Sequence, residues 1–235
     1  MKVAVIPARG GSKRIPGKNI RSFCEKPIIA WPIIAAIKSK CFDRIIVSTD
    51  DSEISKIAIE YGAEVPFIRP TELSDDYAET IPVIAHAIQW LNSTGIKATS
   101  ICCIYPTAPF IQIQDLKRGL NILNDSDADY AFSVTSYAFP IQRAIRISEN
   151  KRIQMFNPSA FEARSQDLED AWHDAGQFYW GKADAWLAHK PIFSSDSVPV
   201  VLPRSIVQDI DTMEDWEEAE LKFSVMGLVD NKYES

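Results

Sequence analysis

The stretch Val3–Asn19, VAVIPARGGSKRIPGKN, decides the reading of this chain. An apolar run of strand type ends at Pro7. The loop after it carries Arg9, Lys13, Arg14 and Lys18, with Arg21 just beyond. Gly10, Gly11 and Gly17 have no Cβ, so the backbone can turn tightly and approach a ligand closely. Ser12 and Asn19 add short polar groups beside free backbone N–H donors. Fixed positive charge, exposed amides and glycine freedom together suit a polyphosphate. A solvated turn is the alternative, but five cations between positions 9 and 21 in a chain of net charge −7 argue against scattered surface charge. The Walker pattern GxxxxGK[ST] is absent, and no GxGxxG follows the strand.

Outward from that loop, the first 140 residues alternate between two kinds of segment. Lys2–Ile6, Arg44–Thr49, Glu64–Ile68, Ser100–Tyr105 and Tyr130–Thr135 are short and rich in Val, Ile and aromatics. Pro27–Ser39, Ser52–Tyr61, Ile81–Asn92 and Ile113–Asn124 space their apolar residues as helices do, with Ile81, Ile84, Ile88 and Leu91 marking one face. This alternation predicts an α/β fold, a mostly parallel sheet with helices on both faces. Ligands then bind beyond the carboxyl ends of the strands, where the GGSKR loop, Thr49–Asp51 and Pro106–Pro109 should gather. From about Tyr137 to Trp172 the pattern breaks into irregular or hairpin structure, punctuated by Pro140 and Pro158. Strands are expected again at Gln177–Trp180 and Pro199–Leu202, then a helix over Met213–Met226. No linker demands two domains, so residues 1–235 read as one.

Bulk properties narrow the function classes. A composition of 46% hydrophobic and 24% charged residues is ordinary for a globular protein. The acidic balance, pI about 5.1, argues against a general nucleic-acid surface. No apolar run approaches the ~20 residues that cross a bilayer. The chain opens directly on a strand without signal-peptide features, so the expected setting is the cytoplasm, with no membrane partner. Cys102 and Cys103 are neighbours in a strand and face opposite ways, which disfavours a disulfide. Without CxxC or a Cys/His cluster, a zinc site is not expected.

IPARGGSKRIPGKN closely resembles the signature of the cytidylyltransferases that activate sialic-acid-like sugars as CMP conjugates. The resemblance continues through STDD (Ser48–Asp51), RPTELSDD (Arg69–Asp76), YPTAPF (Tyr105–Phe110) and VQDIDT (Val207–Thr212), in the right order over nearly the whole chain. SQDLEDAWHDAGQFYWG (Ser165–Gly181) most resembles the branch of that family acting on pseudaminic acid. The resemblance implies a Rossmann-like nucleotide-diphospho-sugar transferase fold, a homodimer, and an inserted dimerisation arm at about 137–172. It also implies a Mg²⁺-dependent reaction of CTP with a nine-carbon 2-keto sugar acid, giving a CMP-sugar and pyrophosphate. Pseudaminic acid is the leading sugar, with sialic or legionaminic acid as rivals, and surface glycans or flagellin as destinations. A catalytically silent nucleotide-binding protein is the rival from another class.

By the same resemblance, Ala8, Arg9, Gly10, Gly11, Ser12, Lys13, Lys18 and Asn19 would bind CTP, with Arg9, Lys13, Lys18 and Asp211 as catalytic residues. Arg69 and Thr80 would select the base, although an arginine at a strand end can equally be a surface residue. Pro70 restrains Arg69 to an extended conformation. Asp209 and Asp211 flank Ile210, so in an extended segment both carboxylates face one way, a hard-oxygen pair suited to Mg²⁺. A local reading competes: Asp211 caps the next helix, with Glu214 completing a capping box. Asp50 reads as a helix cap. Sugar recognition would fall to Tyr105, Thr107, Gln142, Arg143, His173, Gln177, Phe178 and Tyr179. The sialic acid enzymes typically have glutamine where Tyr105 stands and a small residue at Gln177, and both departures point away from sialic acid itself. Core packing is the alternative for the aromatic members. His86 reads as structural, and His173, beside Asp174, as the better functional histidine.

Overall fold

A computed structural model describes residues 1–227; the last eight residues of the expected 1–235 domain lie outside the described residues. The strands are β1 (Lys2–Pro7), β2 (Ser22–Phe23), β3 (Lys26–Pro27), β4 (Arg44–Ser48) and β5 (Ser100–Ile104), then β6 (Tyr130–Ser136), β7 (Ile145–Ile147), β8 (Ile153–Met155), β9 (Trp172–Lys182) and β10 (Ser197–Val201). The α-helices are α1 (Ala30–Ser39), α2 (Ser52–Glu60), α3 (Thr80–Ser93), α4 (Ile113–Asn124), α5 (Ala183–Leu187) and α6 (Met213–Val225). The main sheet has the order β10-β6-β9-β5-β1-β4. All neighbours in it run parallel except those flanking β9.

The α/β reading is therefore right, and the amphipathic helices explain it. On one face Ile6, Ile33, Leu116, Phe178, Trp180, Trp216 and Phe223 form one buried cluster under α1, α2, α4 and α6. On the other, Val5, Ile84, Ile88, Leu91, Tyr179 and Trp186 form a second under α3 and α5. Cys102 joins the first cluster and Cys103 the second, as strand alternation requires, and all four cysteines are free thiols.

Three details depart from expectation. Glu64–Ile68 is not a strand; its backbone makes only isolated bridges, Ile46–Glu64 to β4 and Thr49–Ile68 just past it. Pro66 lies in its middle and has no N–H to donate to a ladder. Pro27 sits in β3, so the first helix starts at Ala30. The strand expected at Gln177–Trp180 is the centre of an eleven-residue strand running against its neighbours. Connectivity explains that direction. Strand β6 ends at the carboxyl edge of the sheet, residues 137–171 lie beyond it, and β9 re-enters from the same edge, sealed by Tyr137 N–H to the Ala171 carbonyl at 3.0 Å.

Between Phe132 and Val134 the β6–β9 register shifts, and Ser133 Oγ accepts the displaced N–H groups of Gln177 and Phe178 at 3.3 and 3.1 Å. The segment beyond the edge contains the antiparallel hairpin β7–β8 and three 3₁₀ turns. Among the described residues no helix is long and apolar enough to cross a membrane.

Candidate active site

Strand β1 delivers the cationic loop to the carboxyl edge of the sheet, and the chain anchors it there. Ala8 is fully buried and donates its N–H to the Ser48 carbonyl at 2.9 Å. Asn19, also buried, folds back so that its amide Nδ2 donates to the Arg9 carbonyl at 2.9 Å. Gly10 donates its N–H to Asp50 at 3.0 Å. A Cβ on Gly10 would lie 2.6 Å from an Asp51 carboxylate oxygen, so glycine is required there for close approach. Gly17 is required for a different reason, a φ of +64°. Gly11 has neither constraint.

The expected cap at Asp50, and the competing one at Asp211, each fall one residue later in the structure. Asp51, not Asp50, caps α2, accepting from the N–H groups of Glu53 and Ile54 at 2.7 and 3.0 Å. That leaves the Asp50 carboxylate to hold the loop. At α6 the capping box is made by Thr212 and Asp215 rather than Asp211 and Glu214. Asp211 is thereby free to face the loop, where it pairs with Arg14 at 2.8 Å and Lys18 at 3.4 Å.

The loop borders a cleft of about 250 Å³. Of the expected residues it gathers Arg9, Ser12, Lys13, Lys18, Asn19, Arg69, Thr80, Tyr105 and Thr107. It adds Arg14, Ala78 and Val83, of which only Arg14 had a sequence signal, as one of the five cations. Lys18 is well buried for a lysine and donates to the Ile210 carbonyl, tying residues at opposite ends of the chain together. Arg9 and Lys13 share one carboxylate, Asp76, with Arg9 at 2.6 Å. Hydrogen bonds from these two cations hold the Asp76 pKa below the usual carboxylate range.

Arg69 is 4% exposed. Its guanidinium donates to the carbonyls of Ser48 and, at 3.3 Å, Leu73, while its Nε has no partner. Desolvation lowers its pKa to about 10, partly opposed by the Asp50 charge, so it stays cationic at neutral pH. Thr80 and Tyr105 join hydroxyl to hydroxyl at 3.0 Å across the cleft wall. The Tyr105 ring packs 5.2 Å from Tyr179, whose hydroxyl donates to Asp174. Burial raises the pKa of both phenols.

Asp209 and Asp211 are not among the residues lining the cleft; Asp211 pairs with Arg14 and Lys18, which are, and Asp209 lies near enough to feel the charges of Lys18 and Asp211. Burial, then the Asp211 charge, raises the Asp209 pKa, while Lys18 opposes. A carboxylate pair set so close that one charge raises the proton affinity of Asp209 also suits a divalent cation, so the donor set fits a metal that phosphate oxygens would help to coordinate. Among the described residues no group of three or more His, Cys, Asp or Glu forms a complete protein cage.

Most of the remaining residues expected to read the sugar are placed elsewhere. Phe178 is fully buried in the core with Trp180, so core packing accounts for both. Tyr179 reaches the site only through Tyr105. Gln177 turns its Nε2 to the Ile206 carbonyl at 2.5 Å, because the bulge and Gly176, with φ +63°, reset the alternation of β9. Gln142 donates to the Glu169 carbonyl at 2.9 Å, and Arg143 to that of Ala163, both outside the cleft lining. His173 packs on Tyr137 and bonds the Asp174 carbonyl at 2.8 Å. His86 sits in α3 edge-on to Phe67, with burial lowering its pKa.

A family model described as cytidylyltransferase matches residues 3–190. The chain belongs to the cytidylyltransferase family. It is 44% identical over 223 residues to a pseudaminic acid cytidylyltransferase of Campylobacter jejuni, covering 95% of this chain and 96% of the relative. It is 32% identical over 223 residues to a CMP-N,N'-diacetyllegionaminic acid synthase of Legionella pneumophila, covering 91% and 92%. A CMP:2-keto-3-deoxy-manno-octonic acid synthetase solved with CTP has the same fold, with TM-score 0.71 at 16% identity over 96% of this chain and 99% of that one. Arg69, Thr80 and Tyr105 line the same cleft as the cationic loop.

Proposed function

We propose that this chain joins CTP to pseudaminic acid, giving CMP-pseudaminic acid and pyrophosphate. The observation that carries the reading is the near full-length identity of 44% to a pseudaminic acid cytidylyltransferase. The convergence of Arg9, Lys13, Arg14 and Lys18 on one cleft supports it independently.

The sugar hydroxyl oxygen attacks the α-phosphorus, the bond to the bridging oxygen breaks, and pyrophosphate leaves with that electron pair. The hydroxyl proton is lost to solvent. The work of the protein is positioning and charge neutralisation. Arg9, Lys13 and Lys18 hold the phosphates, with Ser12, Gly10, Gly11 and Asn19 shaping the loop. Lys18 also fixes Ile210, which keeps Asp209 and Asp211 within reach of the same phosphates. Asp209 and Asp211 would hold Mg²⁺, which when bound neutralises charge at the α-phosphate. Arg69, through its free Nε, and Thr80 address the base, while Tyr105 and Thr107 border the sugar.

Two copies of the chain pair through residues 137–172. Exposed Ile145, Ile147, Ile153, Phe156 and Phe161 on and beside the β7–β8 hairpin support that reading, and Gln142 and Arg143 would then serve a partner's cleft. Four free thiols suit a cytoplasmic setting, where the product would supply surface glycan or flagellin modification. Pyrophosphate release, measured with CTP and Mg²⁺ across pseudaminic, legionaminic and sialic acids, tests the proposal. Selective turnover of pseudaminic acid supports it. Turnover of another of these sugars replaces the substrate, and silence across the panel overturns the enzymatic reading for this substrate class.

A further inference from the structure

We infer that Asp76 is an internal counter-anion of the phosphate site, occupying Arg9 and Lys13 when the cleft is empty and giving them up to the triphosphate. This rests on the reading that the cleft takes a nucleoside triphosphate. The loop divides its cations between two carboxylates. Arg14 and Lys18 face Asp211, which has a proposed role of its own. Arg9 and Lys13 face Asp76, whose carboxylate oxygens take one cation each.

Asp76 is on the turn just before Thr80, the first residue of α3, and from there it contacts Arg9 and Lys13 of the loop. Its neighbour Asp75 turns away and accepts the Tyr77 N–H at 2.9 Å. The contact with Arg9 and Lys13 is thus specific to one of two adjacent aspartates.

Charge accounts for the exchange. Arg9 and Lys13 repel each other within one loop, and one carboxylate between them offsets that repulsion. The Asp76 side chain is 31% exposed and Lys13 81%, so these pairs are weak and easily broken. A triphosphate carries several negative charges and outcompetes a single carboxylate. After transfer the same carboxylate competes with pyrophosphate for the two cations, which lowers the affinity for the leaving product. The cost is borne by CTP binding.

The test is isothermal titration of the wild-type chain, Asp76→Asn and Asp75→Asn, with EDTA present so that no metal bridges Asp76 to phosphate. CTP, pyrophosphate and cytidine are the probes. Expected for Asp76→Asn is about three- to tenfold tighter binding of CTP and pyrophosphate at low salt, the range two exposed ion pairs support. High salt should shrink that difference. Asp75→Asn should match wild type, and cytidine should bind all three proteins alike. Unchanged or weaker CTP binding by Asp76→Asn overturns the inference. An equal gain in Asp75→Asn does so too, because bulk charge would then be the cause. If wild type and variants all fail to bind CTP, and still fail when Mg²⁺ replaces EDTA, the nucleotide reading itself falls and takes the inference with it.

Discussion

Replacing Gly10 by alanine tests the geometry of the phosphate loop more sharply than removing any charge. The new Cβ would lie 2.6 Å from Asp51 Oδ2 and 3.0 Å from Asp51 Cβ, where an ordinary contact starts near 3.4 Å. Relief requires a relative shift of about 0.8 Å, the difference between those two distances. Asp51 is not free to give way, since its other oxygen caps α2 through Glu53 and Ile54. Losing that cap costs about 1 kcal/mol, or roughly 2–4 °C in Tm for a chain of this size. If the loop moves instead, the Gly10–Asp50 bond and the direction of Arg9 are lost. One weakened charge-assisted contact then lowers CTP affinity by about tenfold. Differential scanning fluorimetry and CTP titration read both outcomes. Gly11→Ala is the matched control, because a Cβ there meets open space, and it should leave Tm within about 1–2 °C of wild type. If Gly10→Ala behaves like Gly11→Ala in both assays, the packing of the loop against the α2 cap is wrong.

Other consequences are equally concrete. Asp209→Asn should lower Mg²⁺-dependent turnover on the order of 10²-fold, since several kcal/mol of transition-state stabilisation are at stake; near wild-type turnover would remove Asp209 from the metal site. The same substitution should raise the Tm of the free protein at neutral pH. Asp209 has a raised folded pKa, so the folded state holds its proton more tightly and stability falls as pH rises through that pKa. Asparagine lacks this loss, and a lower Tm for the variant at pH 7 would contradict the sign. Phe178→Leu should destabilise the fold by about 1 kcal/mol without altering the order of preference among sugars; an altered order in the turnover panel would return Phe178 to the sugar site. Thr80→Val removes the hydroxyl partner of the buried Tyr105 phenol and should cost about 1–3 kcal/mol in Tm-derived stability or CTP binding, which Thr80→Ser should largely restore.

The segments and much of their chemistry are legible in the order of residues alone. Strand and helix periodicities are local, so α4 was legible to the residue, and the cationic loop announced an anion site through charge density alone. The Asp209–Asp211 spacing placed two carboxylates together for the same local reason. Caps were legible only in kind. Asp50 or Asp51, and Asp211 or Thr212, are equivalent in a string, and backbone direction at each helix start chose between them.

Tertiary structure alone decided which distant groups meet. Asp76 reaches Arg9 across 67 positions and Lys18 reaches Ile210 across 192, and no periodicity encodes such pairs. It also reversed β9, because the chain leaves and re-enters the sheet at one edge. Finally, it turned Gln177 to the Ile206 carbonyl, since a register shift resets a period-two pattern that sequence can only assume continuous, while Phe178 enters the core beside Trp180 by ordinary alternation.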